Sequence, residues 1–80
     1  MNFENIVSWD KKIIGERIKS LRKEHSLNQI EFSTKIGITQ SALSDIENGK
    51  SEPKVSTAVS ISNEFKVTID YLLKGNIQQV

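Results

Sequence analysis

Apolar residues recur along this chain at the three- and four-residue spacing of amphipathic helices. In the first clear segment Ile14, Ile18 and Leu21 form one stripe, and Asp10 is placed to cap its start. The same spacing continues at Phe32 and Ile36, with Ser33 beside them, at Leu43 and Ile46, and at Ala58, Ile61 and Phe65, with Ser62 on the same face. The pattern predicts helices separated by short connections, and therefore an all-α fold.

Residues typical of helix ends divide the pattern into elements. Asn28 and Glu31 have the spacing of a capping box, which predicts the start of a second helix, and Gly37 is placed to end it. Thr39 is placed to cap a third helix over residues 40–48.

The last two predicted helices follow Pro53. The spacing predicts a fourth helix over residues 55–65. Thr68 caps a short fifth helix over residues 69–73, which Gly75 ends. We therefore expect a compact domain of five helices.

The connection between the second and third helices consists of only Gly37, Ile38 and Thr39. So short a link predicts the wide-angle corner of a helix-turn-helix rather than an antiparallel hairpin. The corner needs a small residue where the helices cross, which Ser33 supplies, and a glycine that tolerates a positive φ. Ile38 is expected to fill the inside of the turn.

Length and composition narrow the possible functions. Eighty residues with 36% apolar content form one small domain. The chain lacks cysteine and has a single histidine, His25, which excludes disulfide scaffolds and cysteine or two-histidine metal sites. We find no phosphate-binding glycine loop and no nucleophile beside a base, so we expect no enzyme activity and no cofactor.

Net charge and hydropathy narrow the possible functions less than length and composition do. The formal net charge is +1, although residues 10–25 carry six basic and three acidic side chains. A solvated helix face is the simplest interpretation of most of these lysines. Apolar runs are too short to cross a membrane or to form a secretory signal, so we expect a cytoplasmic protein.

Residues 27–50, LNQIEFSTKIGITQSALSDIENGK, closely resemble the Cro/CI-type (Xre-like) helix-turn-helix family of phage repressors. Pro53 and residues 67–75, VTIDYLLKG, extend the resemblance. It implies a lambda-repressor-like fold over residues 13–75, with residues 1–12 as an N-terminal extension and 76–80 as a C-terminal tail. It also implies a sequence-specific transcriptional regulator, most simply a repressor, that binds a near-palindromic site in duplex DNA as a homodimer.

The resemblance also implies which residues contact DNA. The first residues of the third helix, Gln40 and Ser41, match positions that read bases, with Ser44 and Asp45 one turn further on. An amide such as that of Gln40 can pair bidentately with adenine. Positions that match contacts to the DNA backbone or the adjacent minor groove are Asn28, Gln29, Thr39, Asn48, Lys50 and Lys54.

Asp45 and Lys66 depart from the residues usual in the family, whereas Arg22 and Glu47 match positions with a structural role. Asp45 stands where relatives often carry a basic or amide residue. Because a carboxylate repels phosphate but accepts from cytosine N4, we hypothesise that Asp45 discriminates against wrong sites. Lys66 replaces the usual helix-ending glycine, at a cost of about 1 kcal/mol if its φ is positive. The resemblance assigns Arg22 and Glu47 to a structural ion pair between the first and third helices.

A second class of function stays open. The same fold serves as a protein-interaction module, such as an antitoxin or assembly factor, and the weak net charge is consistent with that role. The sequence does not choose a dimer interface between the fifth helix with its tail and residues 1–12. We expect no membrane contact and no small-molecule ligand.

Overall fold

A computed structural model describes residues 10–75, and within that range the chain forms α-helices and no strands. The helices are α1 (Lys11–Glu24), α2 (Gln29–Ile36), α3 (Gln40–Glu47), α4 (Val55–Phe65) and α5 (Ile69–Lys74). The all-α prediction is confirmed, and each predicted helix is present. Residues 1–9 and 76–80, which carry most of the predicted extension and all of the tail, lie outside the described residues. No helix of the described range is long and apolar enough to cross a membrane.

Side-chain caps start four of these helices where the sequence predicted them. The Asp10 carboxylate accepts from the backbone N–H of Lys12 at 2.9 Å. Asn28 and Glu31 form the complete capping box, with distances of 2.7 and 2.9 Å. The hydroxyls of Thr39 and Thr68 cap α3 and α5. These bonds satisfy N–H groups that have no partner inside the helix, so they set the starting points of the helices.

A single hydrophobic core joins all five helices. The rings of Phe32 and Phe65 stack with centroids 4.8 Å apart, and His25 lies edge-on against Phe65. The predicted inward-facing residues are buried, except Ser62, which is half-buried. The core consists of Ile14, Ile18, Leu21, Phe32, Ile36, Leu43, Ile46, Ala58, Ile61, Phe65 and Leu72.

Helix α1 packs against both α3 and α5, and so fixes the orientation of α3. It begins at Lys11. Lys11 and Lys12, which were predicted to end the N-terminal extension, therefore belong to the first turn of α1. Gly15 is buried where α1 meets the end of α3: an added Cβ would overlap the carbonyl oxygen of Ile46 and lie 3.2 Å from the carbonyl carbon of Glu47. Arg17 reaches the other way and donates to the carbonyl oxygen of Leu72 at 2.7 Å.

The end of α4 is left-handed at a residue that is not glycine. Lys66 has φ 60° and ψ 40°, the conformation anticipated for the missing glycine. The Ser62 hydroxyl donates to the carbonyl oxygen of Val67, which fixes the chain just beyond this turn. This local bond helps to hold Lys66 in a conformation in which its Cβ is unfavourable.

We expect Lys66→Gly to stabilise the protein by about 1 kcal/mol, because glycine adopts this conformation without steric cost. For a domain of this size the melting temperature should rise by about 4–8 °C. Lys66→Ala is the matched control, since it removes the charge but keeps the Cβ. Thermal unfolding in which the glycine variant is no more stable than the alanine variant would contradict this interpretation.

Candidate nucleic-acid interface

The turn between α2 and α3 has the geometry that the sequence predicted. Gly37 has φ 79° and ψ 29°, and its N–H donates to the carbonyl oxygen of Thr34. The N–H of Ile38 donates to the carbonyl oxygen of Ser33 at 3.0 Å, and the Ile38 side chain packs against the core. Ser33 is buried at the crossing. The left-handed conformation of Gly37 and the packing of Ile38 against the core change the direction of the chain. Helix α3 therefore starts after Thr39 on a different axis from α2.

Gln40 and Ser41 are exposed at the first turn of α3. The Gln40 side chain therefore lies outside the core, as the sequence predicted. Its Nε2 is 3.4 Å from the Oε1 of Gln29, at the start of α2. Gln29 in turn donates from its Nε2 to a carboxylate oxygen of Glu47 at 3.0 Å. The first residues of both helices are thus joined by an amide pair, which limits the directions in which Gln40 can point.

This amide pair is anchored on a buried ion pair. The Arg22 Nε donates to the Glu47 Oε2 at 2.7 Å and its Nη2 donates to Oε1 at 3.0 Å, which makes the contact bidentate. A third bond runs from Arg22 Nη1 to the carbonyl oxygen of Leu27. The structural role expected for Arg22 and Glu47 matches this geometry.

The buried Arg22 guanidinium keeps its positive charge in the folded protein. Hydrogen bonding to the Glu47 carboxylate raises the pKa of the Arg22 guanidinium above its ordinary value, although burial opposes that rise. Stability from a raised pKa is complete below the unfolded value and is lost only above the folded one. Arg22 therefore stays cationic and orients Glu47, which holds Gln29.

Asn28 and Thr39 use their side chains as helix caps and keep further donors. The Asn28 Oδ1 accepts from the N–H of Glu31, and its Nδ2 hydrogens remain able to donate. The Thr39 oxygen accepts from the N–H of Ala42, and its own hydrogen can still be donated. Both residues are exposed at the starts of α2 and α3. The arrangement suits them to hydrogen-bond an anion there.

The residues one turn further along α3 are less accessible. Ser44 is half-buried, and its hydroxyl oxygen is 3.4 Å from the Nδ2 of Asn48. Asp45 is also half-buried, and its backbone carbonyl accepts from the N–H groups of Lys50 and Ser51. Of the four residues predicted to face bases, Gln40 and Ser41 are thus more exposed than Ser44 and Asp45.

The loop after α3 brings cationic side chains to the end of that helix. Lys50 and Lys54 are exposed, as predicted for backbone contacts. The carbonyl oxygen of Lys50 lies 3.4 Å from the Nζ of Lys11 in the first turn of α1. The sequence did not predict this contact, because Lys11 and Lys50 are 39 positions apart.

Comparison with known proteins finds close relatives over most of the chain. A family model described as "Helix-turn-helix" matches residues 18–72. The transcriptional regulator YqaE of Bacillus subtilis is 41% identical over 63 residues, which is 79% of this chain and 54% of YqaE. The antitoxin PezA of Streptococcus pneumoniae is 43% identical over 56 residues, 70% of this chain and 35% of PezA. The chain thus spans about half, or less, of the length of these relatives.

A solved structure matches the fold as well as the sequence. The c2 repressor of phage P22, determined in complex with a synthetic operator, superimposes with a TM-score of 0.74 at 32% identity. The match covers 79% of this chain and 96% of the repressor chain in that structure. The turn, the caps at Asn28, Thr39 and Thr68, and the buried ion pair lie within the region matched by the family model. This chain therefore belongs to the helix-turn-helix family, in the Cro/CI-type group that the sequence resembled.

Proposed function

We propose that this protein binds duplex DNA sequence-specifically through α3 and regulates transcription, most simply as a repressor. The observation that carries the proposal is the exposed first turn of α3, where Gln40 is oriented by Gln29 on the preceding helix. The solved relative, a repressor bound to an operator, supports it. Occupying an operator excludes polymerase without a chemical step, so the action requires no catalytic residue. A chromosomal target would place the protein in the bacterial cytoplasm.

The dimensions of α3 suit the major groove of DNA. With its side chains an α-helix is roughly 10–12 Å in diameter, which matches the major-groove width of about 12 Å. In this placement the Gln40 amide would face an adenine edge, and Ser41 would donate or accept beside it. Asn28, Gln29 and Thr39 would lie near one DNA strand, while Asn48, Lys50 and Lys54 would lie near the backbone at the other end of α3.

One copy of the protein contacts too few base pairs to select a site by itself, which favours a homodimer. A few base contacts from one short helix, each worth about 1–3 kcal/mol, give limited discrimination. Two copies related by a two-fold axis would place their α3 helices about 34 Å apart, on successive turns of a near-palindromic site. We therefore propose a dimer as the form that binds DNA.

A salt titration tests whether the protein is a DNA binder at all. Affinity for duplex DNA should fall steeply as salt rises, with log K decreasing by about 0.9 per phosphate contacted for each tenfold increase in salt. A selected near-palindromic duplex should bind more tightly than a scrambled duplex of the same length at every salt concentration. Absence of binding to either duplex at low salt would contradict the proposed function.

The second candidate is a protein-interaction module. The similarity to the antitoxin PezA favours it, as does the modest net charge of +1. In that case the exposed surface of α3 would contact a protein, and duplex binding would be weak or absent. Failure to bind any duplex, together with a stable complex with a protein encoded beside it, would favour this candidate.

Asp45→Asn tests the proposed selector at the second turn of α3. Because an amide no longer repels phosphate and can also donate, we expect the variant to bind more DNA sequences and to lose preference at one base pair of each half-site. The relaxation should amount to about 1–3 kcal/mol of discrimination at that position. Binding curves over a half-site randomised at single positions measure it. Unchanged base preference would show that Asp45 contributes no selectivity.

A further inference from the structure

We propose that Lys11 and Lys12, in the first turn of α1, contact the DNA backbone together with Lys50, as an additional phosphate-binding surface at the end of α3. The inference rests on the proposed function. It adds α1 to the DNA-binding surface, a helix in which the family resemblance implied no DNA contact. We call these three side chains the lysine cluster.

Close packing between two segments that are distant in sequence brings the lysine cluster together. The Lys11 Nζ is 3.4 Å from the carbonyl oxygen of Lys50, although the two residues are 39 positions apart. A Cβ placed on Gly49 would lie 3.0 Å from the Cα of Lys12, so the loop runs directly against the start of α1. All three lysines are exposed. The contact between the loop and the start of α1 therefore brings these three exposed residues to the same area of the surface.

The charge of this area favours an anionic partner. Lys11, Lys12 and Lys50 contribute three exposed cations to this area, and Asp10 is the acidic residue beside them at the start of α1. The Asp10 carboxylate is also engaged by the N–H groups of Lys12 and Ile13, which fixes it at the helix start. An arrangement of like charges costs stability unless counterions or a polyanion neutralise it. A phosphate backbone provides several negative charges at close spacing.

The position of the lysine cluster agrees with a DNA strand at that end of α3. Gln29 contacts Gln40, the first residue of α3, and also reaches Glu47, its last residue, whereas the lysine cluster lies beside the loop that follows α3. A helix in the major groove has a phosphate backbone on each side. Contacts at both ends of α3 would therefore hold the two strands that border the groove, and α1 would contribute to fixing the register.

The double variant Lys11→Gln, Lys12→Gln tests the proposal against a control of equal charge. The control is Lys19→Gln, Lys74→Gln, which removes two exposed lysines outside the loop and the first turn of α1. Each double variant removes two positive charges from a chain of net charge +1. Glutamine is a good helix former, so both should fold, and circular dichroism verifies it. Binding is measured by titrating a fluorescent duplex of about 20 base pairs, two turns, at several salt concentrations.

We expect the Lys11, Lys12 variant to lose affinity by roughly tenfold per contact at about 0.1 M salt, and its salt slope to decrease by about 2 in total. The loss should be the same for specific and scrambled duplexes, because phosphate contacts carry no sequence information. The control should keep the slope of the wild type.

Two outcomes overturn the inference while leaving the proposed function intact. One is a wild-type slope in the Lys11, Lys12 variant, and the other is an equal change in both double variants, which would indicate only the effect of net charge. If the wild-type protein binds no duplex at any salt concentration, the proposed function itself fails and the inference fails with it.

Discussion

Glu47→Ala is expected to destabilise the protein by about 4 kcal/mol, because it leaves the Arg22 guanidinium buried without its counterion. The Glu47 side chain is 1% exposed and that of Arg22 is 11% exposed, so water can replace little of the lost contact. A domain of 80 residues has a total stability of only about 4–12 kcal/mol. Each kcal/mol of lost stability lowers the melting temperature of a domain of this size by roughly 4 °C or more. The variant should therefore be largely unfolded, or its melting temperature should lie at least about 16 °C below that of the wild type. Urea unfolding followed by circular dichroism measures the difference.

A double variant separates the effect of losing the ion pair from the cost of leaving one buried charge without a partner. Arg22→Met with Glu47→Leu fills the same volume with apolar side chains, and we expect it to recover most of the stability that Glu47→Ala loses. Since the double variant removes the anchor of Gln29, it should fold but bind DNA with weaker base preference. A single Glu47→Ala variant that loses less than about 1 kcal/mol would show that Arg22 finds other partners.

Gly15→Ala is expected to cost about 3 kcal/mol, although alanine is the better helix former. The added methyl group overlaps the carbonyl oxygen of Ile46 and lies 3.1 Å from the carbonyl carbon of the same residue. Since both partners are backbone, no side-chain rotation relieves the overlap, and α1 must move away from α3. We therefore expect a lower melting temperature and also weaker DNA binding in the fraction that stays folded.

Ser20→Ala is the matched control, because Ser20 is an exposed residue of the same helix. It should raise stability by a few tenths of a kcal/mol through helix propensity alone. Equal stability of Gly15→Ala and the wild type would mean that the contact between α1 and α3 is loose, and that α1 does not set the orientation of α3.

Short-range signals were enough to predict the elements of the fold. The capping box of Asn28 and Glu31, the left-handed Gly37 and the cap at Thr39 each act within four residues, and the structure contains all of them. The left-handed turn at Lys66 was also visible as a departure from the expected glycine. Local rules work at these sites because the bonds they describe are made within one turn of helix.

Contacts between distant segments could not be predicted in the same way. The close approach at Gly15 depends on the path of α3, about thirty positions later in the chain, and a glycine inside a helix gives no hint of its neighbour. The proximity of Lys11 to Lys50 depends in the same way on packing across 39 positions. The pairing of Gln29 with both Gln40 and Glu47 was missed because either amide alone is consistent with a surface residue.

The accessibility of α3 likewise refined the predicted site. Helical periodicity places Gln40, Ser44 and Glu47 on the same face of α3. In the structure Gln40 is exposed, Ser44 is half-buried and Glu47 is buried. Glu47 is buried because it pairs with Arg22 of α1 and accepts from Gln29 of α2. The first turn of α3 is therefore the part best placed to enter a groove.

Selection of bound sequences from random duplex DNA, performed in parallel with the wild type and Gln40→Ala, tests the central claim most directly. The wild type should enrich near-palindromic sites with half-sites about one helical turn apart. Gln40→Ala should bind the same sites but lose preference at one symmetric pair of base pairs, by about 1–3 kcal/mol. Identical base preference in the two proteins, or no enriched sequence for the wild type, would contradict the claim that Gln40 reads a base.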